Sequence, residues 1–193
     1  MEYKNRKNDT YYLHQGKTKT GKLKYYFSRE KSEISVDIPE DYEIYENPNA
    51  QVFLRKKLPK MITESELAIV SQGVHQYAEL EYFKVEAKKN TIVIFLPNQN
   101  INEFEKLFSS APFVSPLLFT HIKKERAMEV LITYSPIMRF VLIDEETREF
   151  QAERWCFRGS IEDWVCLGKS DDLAQLVKQY CKHLGKDSFY DLF

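Results

Sequence analysis

Strand-like segments follow one another at short spacing in this sequence, and that spacing constrains the fold more than any other feature. Residues 10–15 and 22–28, rich in Tyr and Phe, flank the loop KTKTG. Residues 42–44 and 52–54 alternate in polarity on either side of the turn signal Asn47-Pro48. Short runs of this kind, separated by a few turn residues, predict antiparallel hairpins.

The rest of the chain adds more strands and two main helices. Further strands are predicted at 82–87, 91–97, 128–134, 139–144 and 149–157, with WVCL as an edge strand, a short helix at 101–108 and a connector at 111–119. The main helices are predicted at about 63–79 and 171–184. Helices do not alternate regularly with strands, which argues against a doubly wound parallel sheet. The order predicts an α+β fold with antiparallel sheets and hairpins.

Both main helices carry terminal signals. Thr63 followed by Glu66 forms a capping box, in which each side chain bonds to the other residue's backbone N–H. Ser170 is the predicted N-cap of the second helix, and Gly185 is predicted to end it. We predict either a small antiparallel β module at 1–60 followed by an α+β domain at 61–193, or one continuous domain.

The charge is distributed unevenly. The net charge is −1, but residues 1–31 carry nine Lys and Arg against three Asp and Glu, a net +6, and the remainder carries −7. Such asymmetry bears on partners rather than on fold. Three cysteines make no secreted disulfide framework, and no apolar run is long enough for a signal peptide or a membrane span. We therefore expect a cytoplasmic protein without membrane contact.

The sequence lacks the residue spacing of the common phosphate-binding and metal-binding motifs. A P-loop at Gly16-Lys17-Thr18 or at Gly168-Lys169-Ser170 would need glycine where Tyr11 and Asp163 stand. Cysteine and histidine lack metal-ligand spacing, so neither a metal nor a cofactor is predicted. Cys156 lies between Arg154 and Arg158, which would lower its pKa, but a free cysteine is more often a small buried apolar residue.

One catalytic alternative stays open. Glu86-x-Lys88 on a predicted strand is similar to part of a metal-dependent nuclease signature, in which a carboxylate holds Mg²⁺ and a lysine stabilises phosphate charge. Asp37 or Asp41 would have to supply the upstream carboxylate. This pattern gives a metal-dependent hydrolase of phosphate esters as the alternative to a non-catalytic protein.

The first hairpin carries the most concentrated signal. Lysines around its turn would contact phosphates, and neighbouring tyrosines would stack on bases or pack on sugars, as in basic surfaces that bind DNA or RNA. The candidate residues are Lys17, Lys19, Lys22, Lys24, Tyr25 and Tyr26. Gly16 and Gly21 are assigned to the turn.

Other interpretations of this hairpin stay open. The lysines would simply solubilise an exposed edge, contact another protein, or be neutralised by the acidic block that follows. That block contains Glu33, Asp37, Glu40, Asp41, Glu43 and Glu46. A protein scaffold or a homo-oligomer with exposed aromatic residues is the third functional class.

The segments LHQGKTKTGKLKYYFSR and IPEDYEIYENPNAQVFLRK, in the first third of the chain, resemble the opening of an uncharacterised bacterial protein family. The resemblance implies a bacterial, cytoplasmic setting and assigns no activity and no functional residue. The sequence thus predicts a non-catalytic binding protein, with nucleic acid as the favoured ligand of the first hairpin.

Overall fold

The protein has an α+β fold with antiparallel sheets. The structure is a computed structural model, and it describes residues 1–31, 37–110, 121–158 and 160–192. The chain divides into two compact units, one made of residues 1–57 and 101–133 and the other of residues 58–100 and 134–193. The connector predicted at 111–119 lies outside the described residues.

Ten strands and four α-helices make up the described chain. The strands are β1 Glu2–Lys4, β2 Thr10–Lys17, β3 Leu23–Ser28, β4 Tyr42–Glu46, β5 Val52–Lys56, β6 Lys84–Lys88, β7 Thr91–Pro97, β8 Tyr134–Asp144, β9 Glu149–Arg158 and β10 Ile161–Ser170. The helices are α1 Glu64–Gly73, α2 Ile101–Ser110, α3 His121–Leu131 and α4 Leu173–Cys181. A π-helical turn at Val74–Ala78 follows α1, and a 3₁₀ turn at Asp187–Phe189 follows α4.

The first unit contains two small sheets, with strand orders β1-β2-β3 and β4-β5. Residues that follow β1 hold the turn between β4 and β5. The buried Asn5 donates from Nδ2 to the carbonyl oxygen of Ala50 at 2.7 Å, and Arg6 donates to the carbonyl oxygens of Asn47, at 2.6 Å, and Pro48. This turn places Ala50 at φ 64°, and the bonds from Asn5 and Arg6 offset its strain.

The second unit is built on a five-stranded sheet of order β10-β9-β8-β7-β6, antiparallel throughout. Alternate residues of the central strands face α1 and α4 and form the core, because side chains of a strand point to opposite faces in turn. This core face carries Ile92, Ile94, Met138, Phe140, Leu142, Phe150 and Ala152. The helices contribute Val70, Leu173, Leu176, Val177 and Tyr180.

Local sequence signals account for most elements. The structure confirms the hairpins around the KTKTG loop, around residues 47–50 and at Lys89 and Asn90. The capping box is present: Thr63 Oγ1 accepts from the Glu66 N–H at 3.2 Å, and Glu66 Oε2 accepts from the Thr63 N–H at 2.8 Å. The WVCL segment is the middle of the longer edge strand β10.

The strand predicted at 128–134 is wrong. Residues up to Leu131 belong to α3, and β8 begins only at Tyr134. The Ile132 N–H donates to the Met128 carbonyl oxygen at 2.9 Å, and both side chains are buried. Side chains four residues apart share a face in a helix and also in a strand, but a strand would place Val130 on that same buried face, and Val130 is exposed. The burial pattern is therefore helical.

Two further details differ from the prediction. Asp172 is the N-cap of α4, accepting from the Gln175 N–H at 3.0 Å, whereas Ser170 ends β10 and its hydroxyl accepts from the Asp172 N–H. The short strand β1 gave no sequence signal and was not predicted. An independent domain at residues 1–60 stays a prediction, and residues 101–133 join residues 1–57 in the first unit.

Gly73 tests the contact between α1 and α4. A Cβ atom at Gly73 would lie 2.0 Å from Cγ1 of the buried Val177, a stiff β-branched side chain. We expect Gly73→Ala to lower the free energy of unfolding by about 1–3 kcal/mol through overpacking, although alanine favours helix by about 1 kcal/mol. Urea unfolding measures the change.

The matched comparison adds Val177→Ala to Gly73→Ala. Removing Cγ1 relieves the clash, so the double variant should lose less than the sum of the single variants. Additive losses of unfolding free energy would show that the two positions do not clash.

An ion pair joins the start of α1 to the turn between β8 and β9. Arg148 donates from Nη2 to Glu66 Oε2 at 2.6 Å and from Nε to Glu66 Oε1 at 2.9 Å. Burial alone would raise the pKa of Glu66, but the hydrogen bonds from Arg148 and Thr63 hold it below its ordinary value of 4.5. The lowered pKa means that ionised Glu66 stabilises the folded state.

We expect Glu66→Gln to cost about 1–2 kcal/mol of unfolding free energy at neutral pH. The wild-type advantage is present above the ordinary pKa and disappears as the pH falls through the lowered folded-state pKa, because the carboxyl is then protonated. Urea unfolding at neutral and acid pH measures this difference. Glu64→Gln, an exposed carboxylate of the same turn, is the control, and an equal loss in both variants would contradict the role of Arg148.

Candidate functional site

A short turn joins β2 to β3 and is held by hydrogen bonds among its own residues. The last strand pair is Lys17 with Leu23, and the Thr18 N–H donates to the Lys22 carbonyl oxygen at 2.8 Å. The Gly21 N–H donates to the Thr18 carbonyl oxygen at 2.9 Å, and Thr18 Oγ1 accepts from the Lys22 N–H. Residues 17–24 are exposed and are called the hairpin tip below.

Only one of the two predicted turn glycines serves the turn. Gly21 has φ +80°, a left-handed conformation that glycine adopts without strain. Gly16 lies within β2, opposite Lys24, and a Cβ there would meet Tyr26 Cε1 at an ordinary 3.6 Å. The prediction that Gly16 forms part of the turn is therefore wrong.

The strand register distributes the four lysines over both sides of the hairpin. Lys17 is on the face of Leu13 and Tyr25, whereas Lys24 is on the face of His14 and Tyr26. Lys19 and Lys22 lie in the turn between the strands. All four are exposed, and within the described residues none of them forms an ion pair.

The two candidate tyrosines point away from each other. Tyr25 is half-buried, with its ring centroid 6.2 Å from that of Tyr42. Tyr26 is 44% exposed and lies parallel to the His14 ring, with centroids 5.3 Å apart and planes 10° apart. Lys24 Nζ lies 5.8 Å from the Tyr26 ring centroid. The structure thus brings Lys24 and Tyr26 together and separates them from Tyr25.

His14 is a member of this cluster that was not singled out from the sequence. Its Nε2 lies 3.0 Å from the carbonyl oxygen of Glu30, which fixes the ring beside Tyr26. A signal was present, because His14 and Tyr26 are equally far from Thr20 at the centre of the turn. In a hairpin, residues at equal distance from the turn centre pair across the strands.

Part of the acidic block is engaged away from the hairpin tip. Glu43 accepts from Arg55 Nε at 2.8 Å, and Glu46 pairs with Arg6 Nη1 at 3.3 Å. Glu46 Oε2 also accepts from the Tyr3 hydroxyl at 3.2 Å, and burial together with this carboxylate raises the pKa of Tyr3. Asp37, Glu40 and Asp41 are exposed, and Glu33 lies outside the described residues.

The residues of the hydrolase alternative share one face of β6. Glu86 is half-buried opposite Val93, and Lys88 is exposed opposite Thr91. Asp37 and Asp41 belong to the first unit, whereas β6 belongs to the second. Among the residues that the structure describes, no group of three or more His, Cys, Asp or Glu is placed to hold a metal ion.

Two buried cysteines and the second Gly-Lys-Ser motif are explained by the packing of the second unit. Cys156 is buried, and burial raises the pKa of Cys181 to about 12, which makes that thiol a poor nucleophile. Gly168 of the second Gly-Lys-Ser motif lies on β10, where a Cβ would stand 2.5 Å from the hydroxyl oxygen of Tyr180. That hydroxyl donates to the Leu167 carbonyl oxygen at 2.8 Å. Gly168 therefore makes room for a buried tyrosine.

Comparison with known proteins adds no assignment. No protein-family model, no curated protein and no solved structure matches the chain. The bacterial setting implied by the resemblance stays a prediction. Over the described part of the chain, every helix is too short or too polar to cross a membrane.

The different roles of the two hairpin glycines can be tested by alanine substitution. Gly21→Ala should lower the free energy of unfolding by about 1–2 kcal/mol, because alanine is strained in the left-handed region. Gly16→Ala is the control and should leave stability unchanged or raise it by up to about 1 kcal/mol. Urea unfolding compares the two, and greater harm from Gly16→Ala would contradict the assigned turn.

Proposed function

We propose that this protein is a non-catalytic nucleic-acid-binding protein that contacts its ligand through the hairpin tip. The observation that supports the proposal most is the exposure of Lys17, Lys19, Lys22 and Lys24 without ion pairs to described residues. Four exposed ammonium groups, none of them in an ion pair with a described residue, give the hairpin tip a local positive field, whereas the whole chain carries a net charge of −1.

The chemistry of the tip favours phosphate contacts over base recognition. Lysine ammonium groups bind phosphate oxygens as point charges and carry little sequence information. Each phosphate contact releases condensed counterions, so the affinity falls as salt rises. Four lysines on B-form DNA would give a log–log slope of at most about 4. Binding should therefore be salt-sensitive and weakly dependent on sequence.

The acids that follow the tip leave this field partly in place. Glu43 and Glu46 are paired with Arg55 and Arg6, so those two carboxylates are already neutralised by cations outside the tip. We place the activity in a bacterial cytoplasm, because the resemblance of the first third of the chain implies that setting.

The two other functional classes gain less support. A metal-dependent hydrolase would need further metal ligands close to Glu86. The described residues contain no group of three or more His, Cys, Asp or Glu that could hold a metal ion. A scaffold would need a joint apolar patch. Phe157 and Ile161 are 78% and 48% exposed, but the register of β9 and β10 places them on opposite faces of their hairpin. Both classes stay predictions without an observation that favours them.

A charge-reversal variant tests the proposal. Changing Lys17, Lys19, Lys22 and Lys24 to Glu should abolish binding to labelled DNA and RNA, because the phosphate contacts become repulsive. Fluorescence anisotropy over a salt series measures the affinity and its salt slope for both proteins.

The matched control reverses four exposed lysines of the second unit, namely Lys88, Lys89, Lys178 and Lys182. It changes the net charge by the same amount, so it should keep most of the wild-type binding if the tip is the contact surface. The proposal fails if the wild type does not bind near physiological salt, or if the two variants lose equal affinity.

A further inference from the structure

The hairpin tip carries positive charge on both of its faces. Lys17 is directly opposite Leu23 and shares a face with Tyr25, whereas Lys24 is directly opposite Gly16 and shares a face with Tyr26. Successive residues of a strand point to opposite sides, so the two ammonium groups leave the ribbon in opposite directions. Lys19 and Lys22 add charge at the end of the ribbon.

A surface that binds a single strand usually has another arrangement. Cations track the phosphates along one groove, and open aromatic rings offer faces on which successive bases stack. Here Tyr25 packs beside Tyr42, and Tyr26 lies against the ring of His14 with Lys24 close to its own ring. The two tyrosines do not form a joint stacking platform, because they are on opposite faces.

Charge on both faces suits a ligand that surrounds the ribbon with phosphates on two sides. The grooves of a duplex have this property, since each groove runs between two phosphate backbones. A two-stranded ribbon with its side chains is about 10 Å thick, judged from the spacing of packed sheets. The major groove of B-form DNA is about 12 Å wide and the minor groove about 6 Å.

We propose that the hairpin tip enters the major groove of double-stranded DNA, with Lys17 directed to one phosphate backbone and Lys24 to the other. The inference rests on the proposed function and names its ligand class. Thr18 and Thr20 hold each other through a 2.9 Å hydroxyl contact at the leading end of the tip. Leu23, 56% exposed, offers an apolar group to thymine methyls beside Lys17.

The same geometry disfavours double-stranded RNA. The major groove of an A-form helix is deep and too narrow for side chains to read. The tip would then reach only one backbone at a time and would lose the contacts of one face. Binding should therefore fall in the order DNA duplex, single strand, RNA duplex at equal salt.

The first test compares ligands of one sequence by fluorescence anisotropy, namely a DNA duplex, each separated DNA strand and the matching RNA duplex. We expect the DNA duplex to bind tightest, and the protein to protect guanine N7 in its major groove from dimethyl sulfate. Tighter binding of a single strand or of RNA would overturn this inference and leave the proposed function standing. Failure to bind any of them would overturn both.

The second test separates the two faces. Lys17→Gln and Lys24→Gln should each lower the salt slope on the DNA duplex by about 1, because each removes one phosphate contact. Lys60→Gln, an exposed lysine outside the tip, is the control and should leave the slope unchanged. A loss in only one tip variant would show a ligand on one face of the ribbon and would overturn the inference.

Discussion

The burial of Leu13 fixes which face of the first hairpin each side chain of β2 takes. Leu13 is fully buried and faces Phe27 across β2 and β3. A slip of the strand register by one residue would expose Leu13 to the solvent. It would also move all the other side chains of the strand to the opposite face, because the side-chain period of a strand is two. Together with the register of β2 and β3, this burial sets the opposite orientations of Lys17 and Lys24 and the pairing of His14 with Tyr26.

Local chemistry made much of the fold predictable. The hairpin at residues 42–56 follows from alternation around a turn signal, and α1 begins where Thr63 and Glu66 satisfy each other's backbone. The failures depend on tertiary packing. Met128 and Ile132 fit a strand as well as a helix in sequence, and their burial together with the exposure of Val130 decides for the helix. The strand β1 is too short to give a pattern and depends on its pairing with β2.

The candidate site was predictable in composition and not in arrangement. The sequence shows which residues surround the loop, so Lys17, Lys19, Lys22 and Lys24 could be named at once. Which face each residue takes depends on the register, and the register depends on where the turn begins. Assigning Gly16 to the turn instead of to β2 obscures the contact of Tyr26 with His14. The separation of Tyr25 from Tyr26 follows from the alternation of neighbouring residues along any strand.

The bonds of the turn between β2 and β3 have a wider consequence. Thr18, Thr20, Gly21 and Lys22 bond to one another, through their backbone and through two threonine hydroxyls. The lysine ammonium groups take no part in these bonds, so the turn holds its shape whatever charge its side chains carry. The charge of the hairpin tip can therefore diverge between sequences while the strands and the buried residues beneath them stay the same.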